Sequence, residues 1–552
     1  MAQEPRFIDY KAKTALVIDD YPSMRSAFKM ALASFGMTKV DLAATASEAI
    51  IRVRGTAYDV IISDYNLGDG RDGQQLLEEL RHKGQVSLET AFLMVTAESV
   101  YERVVAAAEL APDDYLIKPF NGDILRTRLD AILLKKEAFR EVHRAFARSD
   151  LEAALAGCDA IMKSFPKYVV DALRFKGEVL VAMGEFEAAE ALYKQVIAMR
   201  AVPWCRLGLA KTLHLQRKEE PAEELLLDVM DQHPELVSGY DLLADVQVAQ
   251  NKMAEAQRTL ERGVGVSAKS PRRQRRLGDL AYRNKDMEGA EAAYQAAIDK
   301  GRNSIFLAPN DFANLARVQV EQGNAKSAAE LINNNRKFLQ ASDDGKLVSA
   351  VVQARVSTEF GRPEDVRTAM ADALRLRNKG LRCEPEILLD MVDACVKAGM
   401  DEEAADLLTE VARNAHDSVE LLDKARAIYT EAGKATQVAG ILQKSTANVA
   451  RLSRDGALLL QKGDLAGGVT KMLEAAREAP RNPRVLMNTA WAILRRVEQD
   501  ASTAGLLAEA KRLLDDAAWL VPEHPRLGGL QTHLRRIEGE MSARRLSALV
   551  QS

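Results

Sequence analysis

No apolar run in the 552-residue chain approaches the ~18 residues a membrane-spanning helix needs, so no segment is expected to enter a bilayer. The opening residues, Met1-Ala2-Gln3-Glu4-Pro5-Arg6, lack the apolar core of a secretory signal, and a cytoplasmic location is expected. Cysteine is scarce. Cys158, Cys205, Cys383 and Cys395 are scattered without CxxC spacing, which argues against a disulfide framework or a thiolate zinc site and predicts buried thiols in a reducing compartment. The seven histidines show no HExxH spacing, and neither a Walker loop nor a GxSxG elbow is present. Neither charge sign dominates: 76 Lys and Arg against 80 Asp and Glu leave a net charge of −4, which argues against a protein built to coat nucleic acid. Aromatics are only 5% of residues while Ala and Leu abound, which favours helices packed closely through small side chains. What remains is an ordinary globular composition, 47% hydrophobic and 28% charged, long enough for three or four domains at about 150 residues each.

Two unlike parts follow a short extension, 1–12. Residues 13–134 alternate apolar strands with amphipathic helices. Lys13–Ile18, Val40–Ala43, Tyr58–Ser63, Ala91–Val95 and Asp114–Ile117 read as strands, and Ser23–Phe35, Ala46–Arg54, Gln74–His82 and Tyr101–Leu110 as helices, with a last helix from near Gly122. Five such units with mainly apolar strands predict a doubly wound five-stranded parallel sheet, covered on both faces. Between 123 and 156 there is neither Pro nor Gly, and the apolar stripe continues at helical spacing. The segment 135–150 is therefore a stiff helical junction, with its turn at Arg148-Ser149-Asp150.

Beyond it the pattern is all helical. Small residues recur at Ala154, Ala189, Ala222, Ala256, Ala290 and Ala328, at spacings of 35, 33, 34, 34 and 38. Gly177, Gly208, Ala244, Gly278 and Ala316 sit about twelve residues upstream of these positions, and Tyr193, Leu226, Leu260, Tyr294 and Ile332 four downstream. A small residue at each crossing lets two antiparallel helices approach, and a large one fills the gap beside it. One pair cannot bury its own apolar face, so pairs stack into a superhelix with a concave groove. Gly177, Ala189, Gly208, Ala256, Gly278, Ala290 and Ala328 are the expected packing positions. The unit Leu277-Gly278…Ala290…Tyr294…Ala297 resembles the tetratricopeptide signature, as does Trp204…Leu207-Gly208. The expected divisions are clear repeats over 151–340, irregular ones over 341–535 and a tail at 536–552. Ten or eleven helical pairs fit at about 34 residues each.

In an open parallel sheet, chemistry collects where the strands end. Those ends supply Asp19, Asp20, Asp64, Thr96 and Lys118. Three converging carboxylates repel one another, and a hard divalent cation, Mg2+, suits them. A lysine and a hydroxyl beside the metal suit a phosphoryl group, with a central carboxylate as nucleophile.

Ile18-Asp19-Asp20, Ile61-Ile62-Ser63-Asp64, Val95-Thr96-Ala97 and Lys118-Pro119-Phe120 together resemble the response-regulator receiver domain of two-component signalling, chemotaxis type. The resemblance covers 13–134. It implies a flavodoxin-like fold, Asp64 as phospho-acceptor, and direct Mg2+ ligation by Asp20, Asp64 and the Asn66 carbonyl, with Asp19 acting largely through water. It implies that Thr96 and Lys118 hold the phosphoryl oxygens, that Thr96 and Tyr115 form the switch, that Asn66 and Glu98 tune hydrolysis, and that the Lys118–Pro119 bond is cis. The loop 66–73 departs from the family in lacking its proline and being longer.

The resemblance further implies a bacterial phosphoprotein whose partner is a histidine kinase or phosphotransfer protein. The repeat array would then bind an unidentified protein or peptide in its groove, under control of Asp64. It leaves room for a homodimer. No external enzymatic reaction is expected beyond gain and loss of the phosphoryl group. Two competing readings are a transcriptional or enzymatic regulator with an unrecognised C-terminal effector, and a phosphate sink for a kinase. The one dense basic run, Ser270-Pro271-Arg272-Arg273-Gln274-Arg275-Arg276, suits a solvated helix face or an acidic protein partner better than nucleic acid.

Overall fold

The computed structural model describes residues 8–68, 71–97, 112–199, 202–381, 383–521 and 524–551. The chain forms two compact units, Met1–Leu307 and Ala308–Ser552.

The first unit opens with five strands: β1 Thr14–Ile18, β2 Lys39–Ala43, β3 Val60–Asp64, β4 Ala91–Ala97 and β5 Asp114–Lys118. All neighbours are parallel, in the order β2-β1-β3-β4-β5. Helices α1 Pro22–Ser34, α2 Ala46–Gly55, α3 Gly73–His82 and α4 Gly122–Ala147 accompany them. Alternate strand residues point to opposite faces, and both faces are covered, so the strands are apolar throughout rather than alternating. Leu16, Ile18, Ile61, Phe92 and Met94 pack in one layer with Ile50, Leu76 and Leu80. Ala15, Val17, Ile62, Leu93 and Val95 pack in the other with Phe28, Leu125 and Leu129. The helix expected over 101–110 lies outside the described residues.

The residues before 13 pack into the sheet domain, and the expected boundary at 134 falls inside a helix. Tyr10 is buried in the second layer, and its hydroxyl donates to Asp130 at 2.8 Å. Helix α4 runs unbroken for 26 residues to Ala147, with Arg148 as C-cap. Ser149 then takes a left-handed conformation, and Asp150 caps α5, accepting from the Ala153 N–H at 3.1 Å. The second half of α4 packs against α5, so one helix is both the last of the sheet domain and the first of the helical array.

The array of this unit continues with α5 Leu151–Ser164, α6 Val169–Met183, α7 Phe186–Met199, α8 Pro203–Leu215, α9 Glu219–Gln232, α10 Val237–Ala249, α11 Met253–Val266, α12 Pro271–Arg283 and α13 Met287–Gly301. The recurrent alanines sit on the second helix of each pair, and Ala154, Ala189, Ala222, Ala256 and Ala290 are all fully buried. A Cβ on Gly177 would stand 2.5 Å from the Tyr193 hydroxyl oxygen, and one on Gly278 would stand 2.6 Å from the Tyr294 ring. Each pair turns on one residue of positive φ: Ser149, Gly184, Arg217, Asn251 and Lys285.

The second unit comprises α14 Pro309–Glu321, α15 Ala325–Asn334, α16 Arg336–Leu339, α17 Asp343–Glu359, α18 Pro363–Arg377, α19 Pro385–Lys397, α20 Asp401–Asn414, α21 Val419–Glu431, α22 Ala435–Gln461, α23 Leu465–Glu478, α24 Pro483–Gln499, α25 Leu507–Leu520 and α26 Pro525–Gln551. Its hairpin turns again use positive φ, now at glycines 323, 361, 399, 433 and 463. Ala328 is fully buried on α15. The α22 helix, 27 residues long, exceeds the expected repeat helix and serves two successive pairs. Three first helices of successive pairs are tied by a buried charge cluster. Asp390 on α19 accepts from Arg317 Nη2 of α14 at 2.7 Å and pairs with Arg355 of α17.

The chain changes unit at 307/308, within the stretch where the alanine spacing lengthens to 38. The expected tail at 536–552 continues α26, because Leu527, Leu530, Leu534 and Ile537 form a buried stripe at helical spacing. All four cysteines are buried and free.

Candidate functional site

Strands β1, β3, β4 and β5 end at one edge of the sheet and bring the acidic and basic residues together. Ligand oxygens of Asp19, Asp20 and Asp64 lie within 4.8 Å of one another. Asp19 is fully buried. Its Oδ1 accepts from the Tyr21 N–H at 2.8 Å, turning the chain into α1, and its Oδ2 lies 3.3 Å from Lys118 Nζ. Asp64, the last residue of β3, is 8% exposed, and its Oδ1 lies 2.9 Å from Lys118 Nζ. The Lys118–Pro119 bond is cis.

Lys118 faces two of the three carboxylates, Asp19 and Asp64, and the electrostatics follow. Burial is the largest influence on Asp64 and raises its pKa; Lys118 opposes this, Asp19 reinforces it, and the net direction is up. Burial also opposes the Lys118 charge, but Asp64 and Asp19 outweigh it and hold the ammonium above its ordinary value. Asp20 Oδ1 is buried without a hydrogen-bond partner. A buried, unsatisfied carboxylate oxygen next to two other carboxylates is a donor set suited to a hard cation such as Mg2+, which prefers oxygen ligands.

Thr96 is 1% exposed and sits beside Ile117 in the β4–β5 register, one residue before the Ala97–Lys118 pair. Tyr115 packs partly buried against the layer containing α2 and α3. Asn66 is exposed in the loop after β3 and forms an isolated antiparallel bridge with Asp72. Glu98 lies outside the described residues. Gly68, at φ +70°, approaches Asp20 so closely that a Cβ there would stand 3.0 Å from Asp20 Oδ2. Gly73 lies against the Asp64 carbonyl, and a Cβ there would come 3.0 Å from Ser63 Oγ. Gly68 and Gly73 of this loop thus lie against the pocket, and both are needed for close approach.

The basic run behaves differently from a ligand surface. Arg273 is 1% exposed and forks onto Asp241 at 3.0 and 2.6 Å. Arg276 reaches Asp245 at 2.5 Å, Arg275 donates to the Phe306 carbonyl at 2.7 Å, and Arg272 lies over the Phe306 ring. These arginines join neighbouring repeats. Sequence reasoning missed three residues that matter beside the pocket: Tyr65, Asp72 and Lys269. Asp72 was legible as a capping box with Gln75, which the structure contains. Nothing local marks Lys269.

Residues 15–130 match the family described as response regulator receiver domain, and residues 242–305 match tetratricopeptide repeat. The chain therefore carries a response-regulator receiver domain followed by a tetratricopeptide-repeat array. Chemotaxis protein CheY-3 of Vibrio cholerae is 29% identical over 117 residues, 21% of this chain and 88% of that protein. Chemotaxis protein CheY of Pseudomonas aeruginosa is 28% identical over 117 residues, 21% of this chain and 93% of its own. Among solved structures, the chemotaxis response regulator CheY4 of V. cholerae matches at 29% identity, covering 22% of this chain and 98% of its own, with a TM-score of 0.21. The C-terminal part of a TPR repeat-containing protein from Cytophaga hutchinsonii matches at 14% identity, covering 44% of this chain and all of its own, with a TM-score of 0.36. No helix among the described residues is long and apolar enough to cross a membrane.

Proposed function

We propose that this chain is a phosphorylation-controlled response regulator whose output is protein binding by its helical repeats. The observation that carries this reading is the clustering of three carboxylates, two of which, Asp19 and Asp64, pair with Lys118, Asp64 at 2.9 Å from the ammonium. Asp64 attacks the phosphorus of a phospho-histidine on a kinase or phosphotransfer protein. Its oxygen gains the P–O bond as the P–N bond breaks, and the electron pair leaves with the imidazole. Asp20, Asp64 and the Asn66 carbonyl would hold Mg2+, with Asp19 acting through water. When bound, the metal neutralises charge on the transferring phosphoryl oxygens. Lys118 balances a further oxygen, and the Thr96 hydroxyl donates to another.

Phosphorylation of Asp64 draws Thr96 toward the phosphoryl group and shifts Tyr115 with it. Continuous α4 carries the change into the array as a rigid-body motion. The chain catalyses gain and loss of its own phosphoryl group and no external reaction. Partner capture by the intact chain tests this reading, in wild type and Asp64→Asn, with and without acetyl phosphate and Mg2+. A partner whose retention depends on acetyl phosphate in wild type alone supports it. Equal labelling of wild type and Asp64→Asn removes Asp64 from its role.

A further inference from the structure

The loop leaving Asp64 is closed at its base like a purse. The Tyr65 N–H donates to the Val95 carbonyl at 2.8 Å, the Gly73 N–H donates to the Tyr65 carbonyl at 2.7 Å, and Asn66 bridges Asp72. Tyr65 and Asp72 are thus the two walls of a neck at the base of the acceptor loop. Asp72 has a second task, because its Oδ1 caps α3 by accepting from the Gln75 N–H at 2.8 Å.

A side chain from the repeat array reaches both walls. Lys269, in the turn between α11 and α12, donates to Asp72 Oδ2 at 2.9 Å and to the Tyr65 hydroxyl at 3.1 Å. Its ammonium also lies 5.1 Å from the centre of the Tyr65 ring. The partners are themselves ordered, since Tyr65 is 8% exposed and the Asp72 side chain 13%. The far end of α3 meets the same rim of the array, where the His82 ring lies 5.2 Å from that of Phe306. Phe306 is in turn covered by Arg272, three residues after Lys269. Both ends of α3 therefore seat on the segments that flank the α12–α13 hairpin, and the lysine stands at the end nearer Asp64.

We propose that Lys269 is a positioning residue supplied by the repeat array to the receiver's phosphoryl chemistry. It clamps the neck of the acceptor loop and so sets where the Asn66 carbonyl and Gly68 stand relative to Asp20 and Asp64. This rests on the metal-assisted reading of the pocket given above. By linkage, whatever Lys269 contributes to metal binding is returned: occupancy of the pocket strengthens the seating of the receiver on the hairpin by the same factor. The lysine itself is largely exposed, so its effect is that of a surface ion pair, a factor of about two to five.

The test uses the full chain and Mg2+ alone, by calorimetric titration, followed by acetyl phosphate labelling at varied Mg2+. Lys269→Met should weaken Mg2+ binding about two- to fivefold and raise the half-saturating Mg2+ for labelling by the same factor, with the melting temperature unchanged. Lys269→Arg, which keeps the charge and the ring contact, should recover at least half of the loss. Wild-type Mg2+ affinity in Lys269→Met overturns the proposal, as does a loss that Lys269→Arg fails to recover. Wild-type protein that binds Mg2+ with the Lys269 dependence but labels equally in Asp64→Asn leaves the clamp standing and overturns the acceptor reading instead.

Discussion

Tyr193 closes on Gly208 so tightly that a Cβ there would stand 2.5 Å from the ring carbon bearing the hydroxyl. The same ring fills the space over Gly177 on the preceding pair. Gly208→Ala should therefore force the buried tyrosine out of place and cost about 1–3 kcal/mol, the range for overpacking. A Cβ added at Gly265, on α11, would meet nothing within 4 Å, and Gly265→Ala should leave stability unchanged or raise it by up to about 1 kcal/mol through helix propensity. Paired thermal denaturation of the two variants checks both signs.

Asp19 and Asp20 are adjacent but differently placed. Asp20→Ala removes a buried, unpartnered oxygen and part of the repulsion among three carboxylates, so the metal-free protein should gain about 1 kcal/mol while losing Mg2+ affinity. Asp19→Ala strips the Tyr21 N–H and Lys118 of a partner and should destabilise the metal-free protein. Melting curves in chelator, followed by Mg2+ titration, separate the two effects.

The Asp390 carboxylate balances Arg317 and Arg355 in the interior of the second unit. Burial, the largest influence, raises its pKa, but the two guanidiniums overcome it and the net direction is down. Asp390→Asn leaves two buried cations without their shared counter-charge. It should cost about 3–5 kcal/mol, observable as a lowered unfolding midpoint in denaturant.

His143 sits on α4 between the rings of Phe139 and Phe175. Burial, reinforced by Lys136 and Arg81 and opposed by Asp113, pushes its pKa down from 6.5 to about 4. The folded state thus binds the proton less readily than the unfolded chain. Stability is full above pH 6.5 and falls as the pH drops through the window toward 4. Between pH 6.5 and 5 the loss should reach about 2 kcal/mol. His143→Phe should flatten the stability profile over that window, measured as the difference in unfolding free energy between variant and wild type.

Continuity of α4 makes a mechanical prediction. Two glycines inserted after Lys136 interrupt the helix that joins sheet and array. Acetyl phosphate should then change partner binding by a smaller factor than in the uninterrupted chain. An unchanged factor means that coupling passes through the Lys269 rim rather than along the helix.

Much of this protein is decided by local pattern. Strand ends at Asp20, Asp64 and Lys118 were legible because apolar runs stop there, and burial on both faces demands such runs. The alanine period was legible because a close helix crossing admits only a small side chain, whatever surrounds it. The unbroken α4 followed from the absence of Pro and Gly combined with a continuous apolar stripe.

Other features depend on partners far apart in the chain, and no local pattern encodes them. Ser149, Arg217 and Lys285 adopt φ values of 61, 62 and 62°, a conformation imposed by the hairpin and unfavourable to their own side chains. The basic run reads as an exposed charged face in the sequence, whereas Asp241 and Asp245, some thirty residues earlier, pair with its Arg273 and Arg276. Lys269 stands about two hundred positions from Tyr65 and Asp72 in sequence, and an exposed lysine in a turn has no signature of its own. Local composition determined which elements form and which side chains face inward. Only the tertiary structure decided which of the charged groups meet, because an ion pair depends on distance in space and leaves the spacing of either partner unconstrained.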